Sequence, residues 1–268
     1  MFRTLFDERF LPATLCAIGL LCAGWLLRLA RRRPADFPAL DRLLSERAFS
    51  SKQVASVFAL LLTLYVLAAG IGLFFYEEQI AAVRLATGLF VYALVLAFVA
   101  RVLRTRDTSW REAFGLDRQR FASLLLAPVC YLALFPFVLV VALATRALIE
   151  WTTGGAPVPQ EVVRTVAGGG IVGHLYVAVA LLIAPFFEEV LFRGILFPAL
   201  ARALGIPLAT LATSLAFAGI HVHAPSFLPL FLLSLLLCFA YRRTAGLWLP
   251  IGIHFFFNLA GVLFVASG

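Results

Sequence analysis

Charge is scarce in this chain. Only 13% of its residues are charged and 63% are hydrophobic, against about 25% and about 45–50% in ordinary soluble domains. With a mean hydropathy of +1.00, a water-soluble domain is excluded, and the apolar runs are too long and continuous for barrel strands. CxxC pairs, metal-ligand spacing among the cysteines and an HExxH motif are also missing, so the common redox and zinc-peptidase signatures are absent. Cys16, Cys22, Cys130 and Cys238 fall within apolar runs and read as small buried hydrophobes. No small-residue cleavage site follows the first apolar run. Arg3 and Arg9 precede it as in a signal peptide, but Arg31-Arg32-Arg33 succeeds it, and Leu21 stands where a lipoprotein cleavage before Cys22 wants a small residue. The run is expected to remain as an anchor.

What is present is a series of apolar runs of about 20 residues, the length that crosses a bilayer. They predict an all-α polytopic membrane protein with eight spans: about 10–29, 54–76, 80–102, 121–148, 173–201, 206–222, 227–241 and 247–266. Arg84 lies near the start of the third, where a long side chain can snorkel. The seventh is short on a strict count. Residues 105–120, with Trp110, Phe114 and Leu116 among charges, are too polar to cross and are expected at the interface. Between 150 and 170, Gly154-Gly155, Pro157 and Pro159 are expected to break any helix. The chain divides into residues 1–120, with spans 1–3 and the interfacial segment, and 121–268, with spans 4–8. The last four spans are expected to form the core that carries the chain's deep polar groups.

The net charge of +8 makes no single patch, which argues against nucleic acid and for the lipid bilayer as partner. Arginines gather on every second connection: Arg31 to Arg33, Arg42 and Arg47; Arg104, Arg106, Arg111, Arg118 and Arg120; Arg202; Arg242 and Arg243. The opposite connections carry Glu77, Glu78, Glu150 and Glu161, with Arg84, Arg146 and Arg164 as exceptions. This bias places the basic connections in the cytoplasm and both termini outside. An arginine-rich, lysine-poor chain with brief loops fits a bacterial inner membrane.

Against that background, Phe186-Phe-Glu-Glu-Val-Leu-Phe-Arg193 is costly. A charge at bilayer depth costs at least ~2.5–3.5 kcal/mol, and three stand here within six residues. Counted from the cytoplasmic helix ends at ~1.5 Å per residue, Glu188 and Glu189 lie roughly 18–20 Å in, His221 roughly 22 Å, and His254 and Asn258 roughly 12–18 Å. All can share one layer. Glu189 and Arg193 are i and i+4, so they share a helix face and can pair, and the pair alone can be read as a packing device. Glu188 points about 100° away. His254 and Asn258 are again i and i+4. Near helix ends, His174 and His223 read as structural or interfacial, and Phe255 to Phe257 as core or lipid contact.

Burial makes a carboxylate a better base, and Glu188 has no obvious cation on its face. A water between Glu188 and His221 can attack a carbonyl carbon, with His254 and Asn258 donating to the developing oxyanion. The same groups also allow a divalent metal held through Glu and His.

Glu188-Glu189-x-x-x-Arg193, Phe217-x-x-x-His221 and His254-x-x-x-Asn258, with Tyr241-Arg-Arg-Thr-Ala-Gly-Leu-Trp248 leading into the last, resemble the three motifs of the CPBP family. That family comprises the type II CAAX prenyl endopeptidases and the abortive-infection or bacteriocin-processing relatives. The resemblance covers about residues 173–261. It implies an intramembrane endopeptidase with a cavity reached from the cytoplasm. Glu188 and His221 would activate water, Glu189 would pair with Arg193, and His254 with Asn258 would form the oxyanion hole. The expected substrate is a membrane-associated peptide: a prenylated CAAX-like tail, a bacteriocin precursor or a sorting signal. No cofactor is expected; a metal such as zinc is conceivable, but a metal-free glutamate mechanism is preferred because Asn258 is a poor zinc ligand. Two other functions compete. One is a proton-coupled transporter, since intramembrane Glu, His and Arg also build proton relays, although no inverted repeat links the halves. The other is a catalytically idle immunity or peptide-binding protein.

Overall fold

A computed structural model describes residues 10–47, 49–75 and 77–267; Arg3, Arg9 and Tyr76 lie outside them. The chain is 87% helical and, among the described residues, has no strand, so the all-α expectation holds. Each expected span has a helix. Six stretches are long and apolar enough to cross a membrane: Leu11–Arg32, Ser51–Gly72, Ile80–Thr105, Ala122–Thr153, Gly170–Leu204 and Ala224–Thr244. Two apolar helices, Ile206–Gly219 and Trp248–Phe264, are shorter. Leu21, Leu67, Phe74 and Phe264 are among the large apolar side chains left exposed, as lipid-facing positions require. The protein is an integral membrane protein.

Helix α1 (Phe10–Arg32) packs along α7 (Ala127–Thr153). Gly19 makes that approach possible, since a Cβ there would lie 2.3 Å from the Leu132 carbonyl oxygen. Helices α3 (Ser51–Gly72) and α4 (Glu77–Thr105) form a second pair. They meet the motif helix through aromatic contacts: Tyr92 stacks on Phe187 at 4.0 Å and Phe58 meets Phe192 edge-on. Around the motif lie α7, the broken fifth span, α12 (Ile206–Gly219), α13 (Ala224–Thr244) and α14 (Trp248–Ser267).

Several expectations need correction. The seventh span is not short, because α13 starts at Ala224 and accepts Pro225 in its first turn, where a proline costs no hydrogen bond. The sixth is the short one. Its 14 residues rise only about 21 Å, and it stops at Gly219, so His221 sits on a turn at membrane depth. Such backbone is tolerated only where protein or a cavity surrounds it.

The segment expected at the interface packs against the end of the bundle. Its helix α5 (Trp110–Phe114) opens on a capping box between Ser109 and Glu112 and ends at Gly115. Phe114 is fully buried and stacks on Phe49, and its carbonyl accepts from Leu247 N–H at 3.1 Å. Gly115 has φ 61°, and a Cβ there would lie 2.2 Å from the Ala245 carbonyl oxygen. A side chain would push this contact apart.

The first basic connection also contains an unexpected helix, α2 (Phe37–Arg47), held by a two-pronged bond between Asp41 and Arg242, both at 2.7 Å. At this end of the bundle, arginines supply donors that helix C-termini lack. Arg47 donates to Ala245 O, Arg120 to Thr244 O and Arg243 to Arg33 O, while Arg202 donates to Phe49 O in the link before α3. In the long opposite connection, Gly154 ends α7 in the left-handed region as expected, but helix α8 (Glu161–Ala167) follows the prolines.

Candidate active site

The fifth span is built from three α-helical pieces and two wider turns. Helix α9 (Gly170–Ala178) passes into a π segment over Val179–Ile183; α10 (Ala184–Glu189) follows; a second π segment covers Val190–Leu196 before α11 (Phe197–Leu204). In each π segment the backbone bonds five residues back, Ala184 N–H to Val179 O and Phe197 N–H to Phe192 O. Such wide turns recur at functional sites. A proline helps to shape the first. Pro185 has no N–H, so in this register the carbonyl of Ala180 lacks its donor. Asn258 supplies it, donating from Nδ2 to Ala180 O at 2.7 Å.

Glu189 and Arg193 lie entirely out of reach of solvent and pair at 2.9 Å. The guanidinium also donates to Ser234 Oγ at 2.6 Å and lies 4.5 Å from the centre of the Phe217 ring. The other side of the Glu189 Oε1 atom accepts from His254 Nδ1 at 2.9 Å. Buried charges of this kind must be compensated, and two helices besides the motif's own contribute, while Glu189 Oε2 and Arg193 Nε make no hydrogen bond.

That arrangement fixes the neighbouring imidazoles. A carboxylate only accepts, so His254 carries its proton on Nδ1 and turns Nε2 toward Glu188, 3.7 Å from Oε2. Likewise His221 Nδ1 lies 2.7 Å from the Phe217 carbonyl oxygen. A carbonyl only accepts, so the neutral ring leaves Nε2 as a bare acceptor. Phe217 touches both rings, 5.1 Å from His221 and 5.6 Å from His254 between centres. Glu188 Oε2 is buried and makes no hydrogen bond.

Glu188, His221, His254 and Asn258 all line one cavity of about 380 Å³. Glu189 and Arg193 stand behind it. Two residues that sequence reasoning passed over matter here: Ser234, a lone hydroxyl in a leucine-rich run, and Phe217, quoted only as part of a motif. Phe257, read as core or lipid contact, lines the cavity beside Asn258. His174 bonds the Gly170 carbonyl within its own helix. His223 bridges Ser226 Oγ and Val158 O, fastening the long connection to the start of α13. Cys238 is buried and the other three cysteines half-buried, all as free thiols. Among the described residues, no group of three His, Cys, Asp or Glu side chains is arranged to hold a metal ion.

The cavity's rim comes from Gln160, Val162 and Val166 around α8, Ser226 at the start of α13 and Val262 late in α14. Its lining therefore extends toward the end of the bundle opposite the basic connections.

Comparison with known proteins concerns the same part of the chain. Residues 170–260 match the family described as Type II CAAX prenyl endopeptidase Rce1-like. The chain is also similar to "Putative membrane peptidase YdiL" of Bacillus subtilis (strain 168), 31% identical over 84 residues, which are 31% of this chain and 34% of that protein. The match thus spans about a third of the curated relative. No solved structure matches. The resemblance carried by the three motifs is borne out: residues 170–260, which hold Glu188, His221, His254 and Asn258, are similar to the type II CAAX prenyl endopeptidase, Rce1-like, family.

Proposed function

We propose that the protein is an intramembrane endopeptidase that hydrolyses a membrane-associated peptide with a water activated by Glu188. The observation that carries this reading is the Glu188 carboxylate: its Oε2 is buried without a hydrogen bond in a cavity shared with His221, His254 and Asn258. A water accepted there donates one proton toward Glu188 and a second hydrogen bond to His221 Nε2. Its oxygen attacks the carbonyl carbon, Glu188 takes the proton, and the tetrahedral oxyanion receives a hydrogen bond from the second N–H of Asn258, with His254, held by Glu189, beside it in the oxyanion hole. Collapse breaks the C–N bond and returns the proton to the leaving amine. Glu189 and Arg193 act as positioning residues: their pairing neutralises two of the three charges and aims His254. Among the described residues no third ligand is arranged to hold a metal, and the proposed step uses none.

The membrane is a bacterial inner membrane with the basic connections in the cytoplasm and both termini outside. The test is cleavage of a membrane-anchored peptide by purified protein. Glu188→Ala should remain folded in detergent and lose cleavage; retained cleavage by that variant contradicts the proposal.

A further inference from the structure

We infer that Tyr92 of α4, with Tyr65 of α3 beside it, is a positioning residue for Glu188: its ring fixes the turn that carries the carboxylate, and its hydroxyl supplies a donor that neither histidine offers. Calling Glu188 a base rests on the peptidase proposal; its contact with Tyr92 does not.

Tyrosine in a membrane helix prefers the headgroup level. Tyr92 instead stands at the middle of α4, and Tyr65 about two turns inside the end of α3. A phenol at that depth is costly unless its hydroxyl meets a polar group, and both tyrosines face the motif helix. The Tyr92 ring stacks on Phe187, with centres 4.0 Å and planes 21° apart, and Phe187 is only 2% exposed. Phe187 immediately precedes Glu188, so the stack sets the rotation of α10 where the carboxylate leaves it. Phe58 of α3 meets Phe192 edge-on, so the two N-terminal helices bracket Glu188 along the motif.

The hydroxyls add to the rings. The Glu188 charge acts on both Tyr92 and Tyr65, and the two phenols interact with each other. The other titratable groups around Glu188 leave it short of donors. From α14, His254 presents an unprotonated Nε2 at 3.7 Å, because its proton points at Glu189. From the turn after α12, His221 brings a bare Nε2 to the same cavity. On the motif's own span, Arg193 is committed to Glu189 and Ser234. Among the described residues, α8 and α13 add Gln160 and Ser226 to the lining but no titratable group. A buried carboxylate stays ionised only where donors or cations favour that form. A phenol is neutral at working pH, and beside a carboxylate it acts as a donor dipole. Neither tyrosine lies within residues 170–260, which the family match covers. The N-terminal spans thereby gain a part in the site.

The test uses the full chain purified in detergent, with dicyclohexylcarbodiimide as probe, since it attacks only a protonated carboxyl. Its adduct on Glu188, located by mass spectrometry against a Glu188→Gln control, reports protonation without turnover. Wild type should label slowly at neutral pH and quickly once acidified. Tyr92→Phe keeps the ring and loses the hydroxyl, so its labelling at neutral pH should rise about tenfold. Its kcat on a membrane-anchored peptide should fall about tenfold, with KM little changed. Tyr65→Phe should move both in the same direction by less, and it reports even if Tyr92→Phe does not fold. Phe58→Leu loosens the neighbouring aromatic contact; it should lower the unfolding temperature and leave labelling unchanged. Equal labelling by Phe58→Leu and Tyr92→Phe would show that loosening alone suffices, and overturns the inference. Labelling and kcat unchanged in both tyrosine variants also overturn it, while the peptidase proposal stands. Raised labelling of Tyr92→Phe with no cleavage by wild type would defeat the peptidase proposal and leave the Tyr92 contact standing.

Discussion

Asn258 donates its amide to the carbonyl of Ala180, the acceptor that Pro185, one π turn later, cannot serve. A motif residue and a proline on different helices thus form one unit, which shapes the span immediately before Glu188. Asn258→Ala should cost about 1–3 kcal/mol, the range for stranding a buried polar group. Pro185→Ala restores an N–H at that position, so the double variant should regain part of the loss. Thermal unfolding of the four proteins in detergent measures the coupling.

The guanidinium of Arg193 is the other half of the scaffold. Arg193→Met leaves Glu189 buried without its cation and should destabilise by about 3–5 kcal/mol. Ser234→Ala removes a charge-assisted hydrogen bond and should cost about 1.5–3 kcal/mol. Arg193→Lys should not rescue, since an ammonium cannot serve Glu189 and Ser234 with the same fork. Denaturation of the purified variants checks all three.

Much of this was legible in the chain. Eight apolar runs gave eight helices, and the i, i+4 spacing of Glu189 and Arg193 anticipated their contact. The two π segments were not legible, because local sequence marks them only by prolines that elsewhere merely open helices. The partners of Glu189 and Arg193 were hidden for a different reason: Ser234 and His254 reach them from helices far along the chain. The short sixth helix was missed because Ile220 and Val222 extend its apolar run past the turn. The charged neighbours of Phe114 give no sign of its burial, which depends on Gly115 turning the backbone inward.

That last contact can be tested directly. Gly115→Ala places a Cβ in a left-handed position against the Ala245 carbonyl. Overpacking of this sort costs about 1–3 kcal/mol, and the backbone strain adds to it. Phe217→Ala should be as severe or worse, about 3–5 kcal/mol, since the ring packs against Arg193, His221 and His254. Thermal unfolding of both variants gives the comparison.

Removal of metal separates the glutamate mechanism from a metallopeptidase. Cleavage should persist after exhaustive chelation, with no stoichiometric zinc in the purified protein by elemental analysis. Loss on chelation with recovery on zinc addition would replace the mechanism proposed here.

The most direct measurement is the rate of cleavage of a membrane-anchored peptide by wild type and by Glu188→Gln, which keeps the shape and removes the base. General-base catalysis contributes about 10²–10⁴-fold. The variant should fold with unchanged stability and cleave slower by a factor in that range or more. Cleavage at the wild-type rate by folded Glu188→Gln would contradict the account.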